Sequence, residues 1–355
     1  MKTSKYIILF FISLLSCTAL ATQDSFEGSS SSQQIIGTQA IGASYHFTAD
    51  DPVIEQAKRI LDMGSKIIKI SVKEGPVLDT ILQMPFDNYF FWWRSDTKIW
   101  ENGLSESDKA AEYKATYAFA KRLLTTNPLI KRTYYLGNWE GDWYLIDPKN
   151  PIEPSQKKIQ GMIDWLNIRQ KAVEDARKDV GPNNTLVKVY YYVEVNRVRD
   201  AMVNNKSRVV NKVLPKTNVD YVSYSSYDVQ QEPVEVIKNT LDYIEANLPK
   251  KEGFTGRRVF IGECGIQAKA VGYNPQKHEK VNRDILIKFL QTGVPYILYW
   301  EMYNNEVVDN VQEGFWLIND KDEKQPLYYT LEALYQAQKD FKDIGNQSIK
   351  WLQER

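Results

Sequence analysis

From Ile35 onward, short apolar runs alternate with helix-patterned segments, and eight of the runs have the length and residue content of strands. This alternation restricts the fold more than anything else in the chain. Consecutive parallel strands cannot be joined by hairpins, so each step needs a crossover helix packed on the sheet. Eight strands linked this way close most simply into a barrel. The strand candidates are Gly37–Phe47, Lys66–Val72, Asn88–Trp93, Arg132–Trp139, Leu186–Val195, Val219–Tyr227, Arg258–Ile266 and Pro295–Tyr303. Val53–Met63, Lys109–Leu124, Ser155–Lys178 and Val234–Leu248 carry apolar residues near i, i+3, i+4 and read as helices, with Pro154-Ser155 and Pro233-Val234 as starts. The 355 residues suit one barrel of about 250 residues plus insertions better than two domains. The expected fold is therefore α/β, a single (β/α)8 TIM barrel over residues 35–355, with no second domain and no fixed-period repeat.

The start of the chain has a different character. Lys2 and Lys5 precede an apolar run, Tyr6 to Leu15, that is too short to span a bilayer, and Ala19-Leu20-Ala21 follows as a small-x-small site. Residues 1–21 read as an export signal and residues 22–34 as a flexible polar leader, which implies a secreted or periplasmic protein. Leu14-Leu15-Ser16-Cys17 offers an alternative reading, a lipid anchor on Cys17. No later segment is long and apolar enough for a transmembrane helix. The two cysteines are Cys17 and Cys264. Loss of the signal leaves one, so the mature chain has no internal disulfide. Cys264 reads as a small hydrophobe on a buried strand.

Composition removes whole classes of function. Lys+Arg and Asp+Glu are both 45, so nothing in the bulk charge attracts a nucleic acid. His46 and His278 are the only histidines, too few for a polyhistidine metal site. No glycine fingerprint for nucleotides follows the first strand, and no Gly-x-Ser-x-Gly elbow is present. No metal and no cofactor is expected.

In a barrel of this kind chemistry sits at the C-terminal strand ends. Glu263 lies between glycines in Gly262-Glu263-Cys264-Gly265, at the end of the seventh run, and Glu140 lies in Asn138-Trp139-Glu140-Gly141-Asp142-Trp143, at the end of the fourth. The fourth and seventh strands stand nearly opposite one another in an eight-stranded barrel, so the two carboxyls can face each other. That arrangement fits glycoside hydrolysis, in which one carboxylic acid protonates the leaving oxygen and a second carboxylate attacks the anomeric carbon or activates water. The other strand ends supply candidates for binding an oligo- or polysaccharide: His46, Asn138, Trp139, Glu194, Asn196, Tyr224, Tyr227, Trp300 and Glu301. Glu194 alternates with valines and so shares a face with Tyr192 and Asn196, where an inward carboxylate needs a partner.

These strand-end residues resemble those of the large clan of retaining β-glycosidases built on (β/α)8 barrels, which includes cellulase-like and β-glucanase-like families. The resemblance covers roughly Ile35 to Tyr335 as a pattern of strand ends. It implies that Glu140 is the acid/base, Glu263 the nucleophile and Trp300 a sugar platform, and that Tyr224 or Tyr227 hydrogen-bonds the nucleophile. Two features depart from the clan. Asn usually stands immediately before the acid/base, whereas Trp139 intervenes here, and the second strand offers Lys69 and Lys73 where the clan often has Arg. A carbohydrate-binding barrel that has lost catalysis stays open as the alternative.

Overall fold

The computed structural model describes residues 34–94, 102–146, 153–182, 184 and 186–355. The proposed signal 1–21 and all but the last residue of the polar leader lie outside them. Eight parallel strands close in sequence order: β1 (Ile36–Ala40), β2 (Ile67–Val72), β3 (Asn88–Trp93), β4 (Arg132–Gly137), β5 (Val187–Val195), β6 (Tyr221–Ser225), β7 (Val259–Cys264) and β8 (Ile297–Tyr299). Closure is direct, with Ile36 of β1 in register with Ile297 of β8. The helices are α1 (Pro52–Asp62), α2 (Pro76–Gln83), α3 (Glu106–Thr125), a short α4 (Gly141–Leu145), α5 (Gln156–Val180), α6 (Val198–Asn204), α7 (Val234–Asn247), α8 (Pro275–Leu290), α9 (Pro326–Ala337) and α10 (Ile344–Gln353). A two-stranded ribbon, β9 (Val307–Val308) with β10 (Val311–Gln312), follows β8.

Local sequence explains where the helices start. Asp51, Ser105, Ser155 and Asn274 cap α1, α3, α5 and α8 by accepting a backbone N–H of the first turn. Each such cap stabilises its helix by about 1 kcal/mol. Ser105 and Asp108 form a reciprocal capping box. α5 ends at Gly181, whose φ of 80° is a conformation that costs a glycine little.

Alternation on β3 divides the core. Tyr89, Phe91 and Trp93 point outward under the helices, and Phe90 and Trp92 point into the barrel. The lower interior is an aromatic plug. Phe90 stacks on Tyr135 at a centroid distance of 4.4 Å, and Phe260 and Tyr296 pack against both. The Tyr135 hydroxyl donates to that of Tyr296 at 3.0 Å, which in turn donates to Asn88 Oδ1 at 3.2 Å. This plug closes the lower barrel to water. The site is thereby confined to the top.

The first strand is shorter than its sequence pattern suggests. Pairing stops at Ala40, and the segment expected to continue as strand leaves the sheet. Tyr45 and Phe47 pack on Tyr303, and the Tyr45 hydroxyl donates to the Ile318 carbonyl at 2.6 Å. His46 is thereby turned to solvent instead of standing at a strand end.

Candidate active site

A cavity of about 1270 Å³ opens at the C-terminal ends of the strands. Glu140 and Glu263 both line it, and both are at least 90% buried, with 8% and 3% of their surface exposed. Glu263 reaches this position through a bulge. Pairing runs Tyr224↔Ile261 and then Ser225↔Glu263, skipping Gly262. Phe260 points inward and Ile261 outward, and Cys264 packs in the outer core. Two successive residues, Gly262 and Glu263, therefore face the interior, so the bulge re-aims the carboxylate. Only glycine fits at 262, because a Cβ there would lie 1.6 Å from Ser223 Oγ.

Below the cavity lies a polar layer. Lys69, fully buried on β2, donates to Glu194 Oε2 at 2.7 Å and to the Gly262 carbonyl at 2.9 Å, and stands 3.5 Å from Glu263 Oε1. Its ammonium also sits 4.5 Å over the Trp92 ring. Glu194 accepts from Ser223 Oγ at 2.6 Å, and its other oxygen accepts the backbone N–H of Glu140 at 3.1 Å. One buried carboxylate thus ties the Glu140 backbone to the cation beside Glu263. Removing one partner from such a buried pair costs about 3–5 kcal/mol.

The same strand anchors the loop after β4. Asn196 Oδ1 accepts the Asp142 N–H at 3.1 Å. The Asp142 carboxylate accepts the backbone N–H groups of Asn196, Arg197 and Val209 at 3.0, 3.1 and 2.8 Å. These bonds fix the Asn138-Trp139-Glu140 segment despite its extra residue. Trp139, 38% exposed, meets Trp92 edge-on at 6.4 Å, and Trp92 lies 5.9 Å from Trp300. These rings form an aromatic wall.

Burial raises the Glu140 carboxyl to about 8, the Glu194 charge adds to this, and Lys69 opposes it. Glu263 is also raised well above the carboxylate range, again by burial first, with Lys69 opposing and Glu194 and Glu140 adding. Both carboxyls are thus biased toward protonation, so the site retains a proton near neutrality. The Tyr227 hydroxyl donates to Glu263 Oε2 at 3.3 Å.

The raised Glu140 carboxyl has a consequence for stability. Its folded value lies above the ordinary 4.5, so folding takes up a proton between about pH 4.5 and 8. Its contribution is favourable below that window and is lost as pH rises through it, at up to about 1.4 kcal/mol per pH unit. Glu140→Gln removes the ionisation. The variant is expected to melt higher than the wild type at pH 8, with a smaller difference at pH 5. Thermal melts at the two pH values check this, and a gap that does not change with pH counts against a raised Glu140.

No protein-family model matches the chain, and no curated protein sequence matches it. Solved structures do. A family 5 xyloglucanase from Paenibacillus pabuli aligns with 87% of this chain and 99% of its own at 12% identity and a TM-score of 0.54. A GH5-4 broad specificity endoglucanase from Clostridum cellulovorans aligns with 88% of this chain and 97% of its own at 15% identity and a TM-score of 0.51. The likeness is one of fold. The barrel resembles, distantly, the (β/α)8 barrels of glycoside hydrolases.

Of the residues expected at the site from the sequence, Glu140, Glu263, Asn138, Trp139, Asn196, Tyr227 and Trp300 line the cavity. Four others stand elsewhere. Glu194 faces inward as its alternation implies, but lies one layer below the cavity and is fully buried in the Lys69 pair. Tyr224 packs in the outer core, and its hydroxyl bonds to Asp228 instead of the Glu263 carboxyl. Glu301 is fully buried, accepts the Asn305 N–H at 3.1 Å, and is pushed well above the carboxylate range by burial, which suits a neutral loop anchor. His46 is exposed and bonds locally to the Thr48 carbonyl. The structure adds Lys69, Ser223, Trp92 and Asp142. Lys69 alone carried a sequence signal beyond its place in the clan pattern, since a lysine between isoleucines on a strand buried on both faces needs a buried anion. Among the described residues no cluster of His, Cys, Asp or Glu is arranged to hold a metal, and no helix is long and apolar enough to cross a membrane.

Proposed function

We propose that this chain is an exported retaining β-glycosidase that cleaves a β-linked oligo- or polysaccharide, with Glu140 as general acid/base and Glu263 as nucleophile. One observation carries the reading: two buried carboxyls from the ends of β4 and β7 face a single aromatic-walled cavity. The likeness in fold to a xyloglucanase and a broad specificity endoglucanase supports a glycan substrate. The cavity exceeds the roughly 300–1,000 Å³ that suits a drug-sized ligand, as an oligosaccharide requires.

In the first step Glu140, kept protonated by its surroundings, gives its proton to the glycosidic oxygen. Glu263 attacks the anomeric carbon from the opposite face, and the aglycone leaves as an alcohol. Positive charge develops on the sugar, beside the Trp139 and Trp300 rings that line the cavity. Lys69 and the Tyr227 hydroxyl balance the negative charge on Glu263 before attack. In the second step Glu140, now ionised, takes a proton from water, and the water displaces Glu263. The sugar returns with its original β configuration. Export rests on the residue 1–21 signal.

A panel of β-glucans and xyloglucan, assayed for released reducing ends and for product anomer by proton NMR, tests the proposal. The expected result is hydrolysis with the β anomer appearing first. An α anomer first indicates inversion and overturns the role of Glu263. Binding without release on every substrate favours the inactive carbohydrate-binding barrel.

A further inference from the structure

The charges around the cavity are unevenly placed. On the β6–β8 side stand Asp228 and Glu306. On the β2–β3 side stand Lys73 and Arg94, each one residue past the end of its strand. Val72 and Trp93 are register partners, and the Arg94 N–H donates to the Val72 carbonyl at 3.4 Å, so Lys73 and Arg94 are lateral neighbours. Both have inward parity. Lys69 faces the interior of β2 and Lys73 lies four residues on; Trp92 faces the interior of β3 and Arg94 lies two residues on.

This is a like-charge pair at neighbouring strand ends, which is unfavourable unless something neutralises it. No carboxylate among the described residues forms an ion pair with either side chain. Other cations on the cavity are balanced: Arg197 by Asp200 at 2.6 Å and Arg169 by Glu112 at 2.6 Å. Glu74, next in sequence to Lys73, is held by Arg122 at 3.3 Å. Lys73 and Arg94 are exposed, project into the cavity mouth and flank the edge of the Trp92 wall.

We propose that the substrate is an acidic glycan whose carboxylate or sulfate ester binds between Lys73 and Arg94 while the adjoining sugar ring lies against Trp139, the exposed ring beside Trp92. The guanidinium fork pairs with two anion oxygens, and the ammonium supplies a point charge beside it. The anion is thereby kept on the β2–β3 wall, away from Asp228 and Glu306. This deepens the glycosidase reading and rests on it for the glycan, but the test reads binding alone.

The experiment uses the full chain carrying Glu263→Gln, so that ligand is not consumed. Calorimetric titration compares a neutral β-gluco-oligosaccharide, a uronate-bearing one and a sulfated one of equal length, at about 0.05 M and about 0.5 M salt. An acidic ligand is expected to bind at least about tenfold more tightly than the neutral one at low salt, with most of the advantage lost at high salt. Adding Lys73→Gln and Arg94→Gln should remove that advantage and leave neutral binding within about twofold, since both side chains are exposed and bear little of the fold. The tighter of the two acidic ligands identifies the anion. Equal affinity for neutral and acidic ligands overturns the inference and leaves the glycosidase reading standing, as does an advantage that survives in the triple variant. Failure to bind any glycan overturns both.

Discussion

Glu263→Gln is expected to leave a folded barrel with turnover reduced by at least about 10³-fold, the scale seen when a covalent nucleophile is removed. The side chain is nearly isosteric, so the bulge at Gly262 and the packing around it have no reason to move. The amide oxygen can accept the Tyr227 hydroxyl as the carboxylate does. Lys69 keeps Glu194 and the Gly262 carbonyl. The wild-type carboxyl is held well above its ordinary range, mainly by burial, so a neutral amide relieves a cost and the variant should melt no lower than the wild type at neutral pH. The amide cannot form a glycosyl ester, and turnover stops at the first step. Initial rates on an activated aryl β-glycoside, together with a melting curve, check both parts. A folded variant retaining a tenth or more of its rate means that another group attacks the sugar.

The barrel could be read in the sequence because it is specified by repetition. The strands are buried on both faces over most of their length and so read as short apolar runs, and each crossover brings its own amphipathic pattern. Asn88–Trp93 became a strand over its full expected length. Ends were harder to place, because a strand stops where its neighbour stops pairing. Nothing local in Ile41–Phe47 says that Ala40 is the last paired residue; the decision is made by Asn304 and Ile318, more than 250 residues away.

The site divides along the same line. Glu140 and Glu263 could be found because strand ends are where such barrels present polar groups. Strict alternation on β7, however, with Phe260 inward, would turn Glu263 outward, and only the skipped pairing at Gly262 brings it in. Glu194 illustrates the converse. Its parity was legible, but its depth depends on Lys69, which lies 125 residues away in sequence. Glu301 follows the aromatic Trp300 as a sugar-binding carboxylate would, yet it folds back to hold Asn305, because the chain turns sharply after β8. Contacts of this kind arise from closure and have no local signature.

Glu140→Ala is expected to lower turnover of a glycan with a poor leaving group by about 10²–10⁴-fold, the usual worth of a general acid. An activated aryl glycoside needs no proton to depart, so its first step should survive and the glycosyl-enzyme should accumulate. Azide, an anion small enough for the space the carboxylate vacates, should then raise the rate and give a β-glycosyl azide. The pH profile provides a second reading. In the wild type kcat/KM on the glycan should fall on the alkaline side as Glu140 loses its proton near 8, and the residual activity of Glu140→Ala on the same glycan should lack that limb. Glu194 is the competing acid, and the geometry separates the two. Glu194 is fully buried, accepts hydrogen bonds from Lys69 and Ser223, and does not line the cavity, so it has no path for a proton to a glycosidic oxygen. Glu194→Ala should therefore impair both substrates together, by loosening the Glu140 backbone and freeing Lys69, and azide should not restore it. If azide rescues Glu194→Ala and leaves Glu140→Ala inactive, the acid is on β5, and the loop after β4 serves only to shape the cavity.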